Sequence, residues 1–132
     1  MDRQSTIRRS PRSKAALALA LLGLASALTM VVPTTPAQAA GCGVSGGTLW
    51  CGNREVAMHF GPGYNSEVGD WLTSTYSWFS CWTYGGNHEG GNNTWYGTQG
   101  DAVGMFGYVP AVALNTSSQF DANPGNYGLP HC

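Results

Sequence analysis

Apolar residues are concentrated in one long run near the start of the chain and occur in short groups afterwards. The run covers residues 15–32, follows five cationic residues, and is followed by two prolines and a small-x-small triplet at 37–39. This order predicts a secretory signal peptide over residues 1–39, with cleavage after Ala39. The alternative is a membrane anchor, because eighteen residues are just long enough to span a bilayer. The prolines, and the lack of a positive cluster behind the run, favour cleavage.

Beyond residue 40 the hydrophobic pattern is that of short strands separated by turns. Gly, Asn, Pro and Ser interrupt the chain at intervals of about eight to twelve residues, and apolar residues nowhere keep helical spacing for three turns. The pattern predicts a small all-β barrel or sandwich without a helix. The predicted elements are strands at 55–60, 67–72, 76–83, 93–98 and 105–109, a flexible polar loop at 85–93, a helical turn at 110–114 and an irregular tail at 115–132. Val68 and Leu72 are predicted to point inward.

Four cysteines follow the signal, and in an exported chain they predict two disulfides. Residues 42–51 form a predicted hairpin around Gly46-Gly47, because a two-residue turn of this type needs positive φ at both positions. In that register Cys42 lies opposite Cys51, within bonding distance. Cys81 then pairs with Cys132. The alternative pairing joins Cys51 to Cys81 and Cys42 to Cys132, and the spacings match no zinc site.

Charge narrows the choice of partners. Five of the six cationic residues precede residue 15, so the mature chain keeps Arg54 and six carboxylates, a net charge of 1 − 6 = −5. Nucleic-acid binding depends on neutralising phosphates, and membrane surfaces attract basic patches. We therefore expect neither nucleic acid nor, after signal cleavage, a membrane as the partner.

The candidates for catalysis are few. His59, His88 and His131 are the neutral-pH bases, and the cysteines that could serve as nucleophiles are expected to be in disulfides. His88 lies in the polar loop, where we expect a solvated side chain. The sequence therefore predicts a protein that is not an enzyme, with no cofactor and no metal.

Aromatic residues are the most informative chemical feature. In the predicted strand 76–83, Trp78 and Trp82 alternate with Phe79 and Cys81, so the two tryptophans share a face. If that face is exposed, it offers a stacking surface for sugars, flat peptides or proline-rich segments. The alternative is that the C-terminal tail covers it as a second small core. Tyr64, after the Gly-Pro-Gly turn, is a further exposed candidate.

Several segments resemble one family. Residues 56–69, Val-Ala-Met-His-Phe-Gly-Pro-Gly-Tyr-Asn-Ser-Glu-Val-Gly, are similar to the opening of bacterial SH3-like domains. Asn-Thr-Trp-Tyr at 93–96 and Gly-Tyr-Val at 107–109 resemble later strands of that family, and the chain is also similar to small secreted actinobacterial proteins built on this domain. The family's Asn, Arg and Ser are replaced here by Ala57, His59 and Phe60. The resemblance implies an SH3-like β barrel that binds cell-wall peptides.

Together these observations predict a secreted, extracellular monomer. It comprises an N-terminal hairpin at 40–53, an SH3-like domain at 54–116 and a disulfide-tied tail at 117–132. We expect non-catalytic recognition of a cell-wall (peptidoglycan) or other extracellular peptide or glycan. The predicted ligand-binding groove contains four aromatic residues: Tyr64, Trp78, Trp82 and Trp95. The alternative is a secreted inhibitor or toxin-like effector that inserts the loop 85–93 into a target protein.

Overall fold

A computed structural model describes residues 41–132, and the predicted signal peptide lies outside them. The described chain contains eight strands: β1 Cys42–Ser45, β2 Thr48–Gly52, β3 Val56–His59, β4 Val68–Leu72, β5 Tyr76–Phe79, β6 Cys81–Tyr84, β7 Thr94–Gln99 and β8 Phe106–Pro110. A 3-10 turn at Ala111–Ala113 follows them, and then come the helix α1 at Ser118–Ala122 and a 3-10 helix at Pro124–Tyr127. The all-β class predicted from the sequence is confirmed.

The strands form two antiparallel sheets that do not close into a barrel. One sheet has three strands in the order β1-β2-β5, and the other has five in the order β4-β3-β8-β7-β6. The predicted strand 76–83 is divided between them, because the chain leaves the first sheet after Phe79 and enters the second at Cys81. The step falls at Ser80, whose N–H donates to Gly97 O over 2.9 Å.

The N-terminal hairpin forms in the predicted register. Cys42 pairs with Cys51 across β1 and β2, and the two turn glycines have φ of 57° and 75°. Those positive values favour glycine, since a Cβ makes that conformation costly. Both predicted disulfides, Cys42–Cys51 and Cys81–Cys132, are present.

The core lies between the inner faces of the sheets and the tail. Leu49 and Phe79 reach it from the first sheet, and Met58 and Tyr96 from the second. Leu72 points inward as predicted, but Val68 is exposed. Met58 pairs with Asp70 and His59 with Val68, which leaves Gly69 as an extra residue in β4. Such a bulge turns the next side chain to the opposite face, which accounts for the wrong prediction at Val68.

The tail is more regular than predicted. Helix α1 begins after Ser117, whose Oγ accepts the N–H of Phe120 over 3.1 Å. Phe120 and Leu129 from this region are buried in the core. A helix of five residues is too short to show a helical hydrophobic period, so the prediction of no helix was wrong here.

Two aspartates bind neighbouring loops together. The buried carboxylate of Asp70 accepts N–H groups from Trp71 and from three residues of the loop before β8: Ala102, Val103 and Met105. From that loop Asp101 reaches back to the turn after β4, where one carboxylate oxygen accepts the N–H groups of Thr73 and Ser74. The two loops therefore hold each other in place.

Both carboxyl groups have pKa values below the ordinary range. Burial opposes ionisation of Asp70 and would raise its pKa. The N–H groups of Trp71 and of the loop before β8 have the larger combined effect, so the pKa of Asp70 is lowered. For Asp101, the N–H and hydroxyl of Ser74 are the main cause of the lowered pKa.

Removal of either disulfide should destabilise the protein, and the tail disulfide should matter more. Cysteines 81 and 132 are separated by 51 positions and cysteines 42 and 51 by 9. Loop-closure entropy then gives losses of about 4 and about 3 kcal/mol in the free energy of unfolding. Urea denaturation of Cys81→Ser/Cys132→Ser and Cys42→Ser/Cys51→Ser variants tests this. Equal losses, or a larger loss at the hairpin, would contradict it.

Acid should weaken the fold through Asp70 and Asp101. Because their folded pKa values are lowered, the unfolded chain takes up protons first. Their contribution to stability is complete above the unfolded pKa of about 4 and is lost as the pH falls through the lower folded values. We expect the urea midpoint to fall in this range, and to fall less in Asp70→Asn/Asp101→Asn. Glu67→Gln, which changes an exposed carboxylate, is the control. An unchanged acid dependence in the double variant would refute the assignment.

Candidate functional site

The outer face of the three-stranded sheet carries three large aromatic side chains. Alternation along β2 and β5 sends Leu49, Cys51 and Phe79 inward and the intervening residues outward. The outward set consists of Trp50, Tyr76 and Trp78, which we call the aromatic face.

The rings of the aromatic face are neighbours. Trp50 lies opposite Trp78 in the pairing of β2 with β5, and Gly52 lies opposite Tyr76. The ring centres of Trp50 and Tyr76 are 6.4 Å apart and their planes differ by 22°. Trp50 is 43% exposed and Tyr76 58%, while Trp78 is half-buried. Two large, nearly parallel rings are therefore open to solvent on one sheet surface.

The backbone under the aromatic face is fixed from both sides. On the inner face the Cys42–Cys51 disulfide joins β1 to β2 directly beside Trp50 in sequence. On the other edge, Thr98 Oγ1 donates to Trp78 O over 2.5 Å and ties β5 to β7. Strands β1, β2 and β5 contain no charged residue.

A second aromatic group, the Trp95 cluster, lies on the five-stranded sheet. It consists of Trp95 with His59, Tyr64 and His88 around it. Their ring centres lie 6.0, 5.2 and 5.9 Å from that of the indole, each in an edge-to-face arrangement. Trp95 is fully buried, and its Nε1–H donates to Gly86 O over 2.7 Å.

An exposed polar bridge lies beside this cluster. Tyr64 Oη donates to Glu89 Oε2 over 2.6 Å, and Arg54 Nη2 lies 3.1 Å from Glu89 Oε1. Burial, followed by the hydrogen bond to Glu89, raises the pKa of Tyr64 to about 12. The Tyr64 hydroxyl is in turn the main cause that lowers the pKa of Glu89. The bridge joins the turn after β3 to the loop 85–93.

His88 of that loop was predicted to be solvated, and this is wrong. His88 is only 7% exposed. Its Nδ1 accepts the N–H of Gly90, so the tautomer protonated at Nε2 donates to Thr94 O over 3.0 Å. The loop packs because its one imidazole fills the space beside Trp95 and satisfies the backbone on both sides.

The histidines of the Trp95 cluster are engaged with the backbone. His59 Nδ1 lies 2.7 Å from Ser66 O, and both ring nitrogens of His88 bond to main-chain groups. The hydroxyl of Ser66 accepts the N–H of Gly61. Among residues 41–132, no three His, Cys, Asp or Glu side chains are arranged to hold a metal ion. The cluster is built as packing with satisfied polar atoms.

The four residues of the predicted groove occupy three separate places. Tyr64 and Trp95 are together in the Trp95 cluster, and Trp78 belongs to the aromatic face. Trp82 is only 8% exposed, and its Nε1–H donates to Leu129 O of the tail over 3.1 Å. For Trp82, the alternative in which the tail covers the strand is the one observed.

Two residues of the aromatic face, Trp50 and Tyr76, were not among the predicted site residues. The signal for Trp50 was present, because a hairpin that points both cysteines of its disulfide inward must point Trp50 outward. Tyr76 follows from the same alternation along β5. Trp82 lies on a different sheet because the strand is interrupted at Ser80. The alternation of residues over 76–83 gives no sign of this interruption.

Comparison of the chain with protein-family models, with curated proteins and with solved structures gave no match. In residues 41–132, no helix combines the length and the apolar composition needed to cross a membrane.

His88→Ala should loosen the loop 85–93. It removes two hydrogen bonds, one buried and one partly buried, and a ring contact with Trp95, so we expect a loss of about 1–3 kcal/mol in the free energy of unfolding. Urea denaturation gives the free energy, and limited proteolysis shows whether cleavage starts in the loop. Asn87→Ala, an exposed neighbour, is the control. Equal behaviour of the two variants would contradict the anchoring role of His88.

Proposed function

We propose that the protein is a secreted, non-catalytic binding module that recognises a cell-envelope ligand through the aromatic face. The observation that carries the proposal is the exposure of Trp50 and Tyr76 on a sheet fixed by a disulfide. Large apolar side chains grouped on a surface cost solvation free energy, and such groups commonly mark interaction sites. Aromatic rings on strands also lose little conformational entropy when a ligand packs on them.

The two disulfides support action outside the cytoplasm. They indicate an oxidising compartment, because thiols inside cells are kept reduced. The apolar run at 15–32, with its preceding cations, supplies the export signal that such a location needs. The resemblance of residues 54–116 to bacterial SH3-like domains is in keeping with envelope binding.

A second candidate is a protein-directed inhibitor or effector. One observation favours it: the loop 85–93 is anchored at His88 while Asn87, Glu89 and Gly90 are exposed. An anchored, exposed loop loses little entropy when it docks into a target. In this case Asn87→Arg would abolish capture of a secreted protein, and loss of the aromatic face would not.

Retention on purified cell walls tests the proposal. The oxidised protein should sediment with walls, and Trp50→Ala/Tyr76→Ala should lower the bound fraction at subsaturating protein about tenfold or more, because truncating a Trp or Tyr that anchors an interface commonly costs about 2 kcal/mol or more. Both side chains are exposed, so the fold should persist in this variant, and its urea midpoint verifies that.

The matched control is Trp71→Ala/Phe106→Ala. These two rings are comparably exposed, at 52% and 47%, but belong to the five-stranded sheet. Equal loss of binding in both double variants would indicate non-specific apolar adsorption and would overturn the proposal. The absence of any retention would do the same.

A further inference from the structure

We propose that the ligand of the aromatic face is a neutral polysaccharide, bound by stacking of its sugar rings on Trp50 and Tyr76. This inference rests on the proposed function and names the chemical class of the ligand. Peptides, anionic polymers and neutral glycans need different chemical groups on the surface that binds them. The residues of this sheet provide the groups that a neutral glycan needs.

Anionic ligands lack a counter-charge here. Phosphates and carboxylates are bound by charge-assisted hydrogen bonds from cationic side chains. Arg54 is the one Arg or Lys after residue 14, and it already pairs with Glu89 over 3.1 Å. The chain beyond residue 39 also carries a net charge of 1 − 6 = −5, which repels polyanions.

Cationic ligands find no carboxylate on this surface either. The strands that form the sheet contain neither Asp nor Glu. Four of the six carboxylates accept hydrogen bonds from other parts of the protein, and these are Asp70, Glu89, Asp101 and Asp121. An uncharged face on an acidic protein is complementary to an uncharged ligand.

The ring geometry suits a sugar polymer. The rings of Trp50 and Tyr76 are stacked with planes that differ by 22°, and both remain partly exposed to solvent. The C–H groups on one side of a pyranose ring are apolar and pack against an aromatic face, whose π electrons carry partial negative charge. A sugar ring can therefore pack against the solvent-exposed surface of this aromatic pair.

Hydroxyl groups border these rings. Ser45 and Thr48 are paired in the β1–β2 register and share the outer face with Trp50. Tyr76 carries its own hydroxyl at the most exposed ring of the set. Hydroxyls donate and accept, so they match sugar hydroxyl groups without requiring charge.

A peptide ligand is less well matched. Proline-rich peptides dock into grooves between aromatic residues, whereas these rings stand on one side of a single sheet. Extended peptides that add to a sheet bind through backbone groups at an edge, and the aromatic face is the broad surface of the sheet. The first mode needs a groove and the second needs a strand edge, whereas Trp50 and Tyr76 stand on the broad surface of the sheet.

The test is depletion of the oxidised protein from solution by insoluble polysaccharides. The neutral probes are β-1,4-linked glucan, β-1,4-linked N-acetylglucosamine polymer and starch, and the anionic comparator is calcium-gelled polygalacturonate. We expect binding to at least one neutral polymer, none to polygalacturonate, and little change with salt, because the contact involves no ion pair. Trp50→Ala/Tyr76→Ala should weaken binding about tenfold or more, because Trp and Tyr are the side chains whose truncation most often removes binding energy. Trp71→Ala/Phe106→Ala should leave it unchanged.

The outcomes separate this inference from the broader proposal. Wall binding that depends on Trp50 and Tyr76, without binding to any neutral polymer, overturns the polysaccharide assignment and leaves the binding module standing. Competition of wall binding by soluble wall peptides, but not by soluble oligosaccharides, also overturns it. Binding to a neutral polymer without retention on cell walls supports the polysaccharide assignment. It would mean that the natural glycan is not part of the cell wall. Polymer binding that survives Trp50→Ala/Tyr76→Ala excludes the aromatic face.

Discussion

The backbone step at Ser80 determines how this small protein uses its tryptophans. By donating its N–H to Gly97 O, Ser80 ends the first sheet and starts the second within one residue. Phe79 and Trp82 consequently both face the core although they are three positions apart, which a continuous strand does not allow. Trp78 stays on the outer side of the first sheet. Without this step, Trp78 and Trp82 would share one surface.

The tail completes the core that the step leaves open. Trp82 donates its indole N–H to Leu129 O, and Cys132 N–H bonds to Trp82 O next to the Cys81–Cys132 disulfide. Phe120 packs against Tyr96, whose hydroxyl donates to the buried carboxylate of Asp121 over 2.6 Å. A domain of this size buries limited apolar surface, so each of these large side chains is needed inside.

Local features could be predicted from the sequence, and features that depend on distant contacts could not. The hairpin register and both disulfides were predictable because Gly46-Gly47 fixes the turn and the turn fixes the pairing. The burial of His88 depends on Trp95 of a later strand. The exposure of Val68 depends on a bulge set by pairing with β3. Neither contact has a signature in its own segment.

The same limit explains the candidate site. Tyr64 and Trp95 were expected in a groove and do meet, but Trp95 is consumed by packing against His59 and His88. Sequence identifies residue types suited to binding and does not show which of them the fold requires for itself. Trp50 is not required for packing in this way. Its strand neighbours Leu49 and Cys51 are buried on the inner face, so Trp50 points outward.

The acidity of the chain has a structural origin that bears on recognition. Asp70 and Asp101 hold two loops together, Glu89 fastens a third to Tyr64, and Asp121 anchors the tail helix to Tyr96. In a domain with little helix, carboxylates that accept several N–H and O–H groups hold the loops in place. These four carboxylates lie in strand β4, in loops and in the tail helix, and the strands of the three-stranded sheet contain no carboxylate. The strands of the aromatic face are therefore uncharged, and we expect any ligand bound there to be recognised by shape, ring stacking and hydroxyl hydrogen bonds.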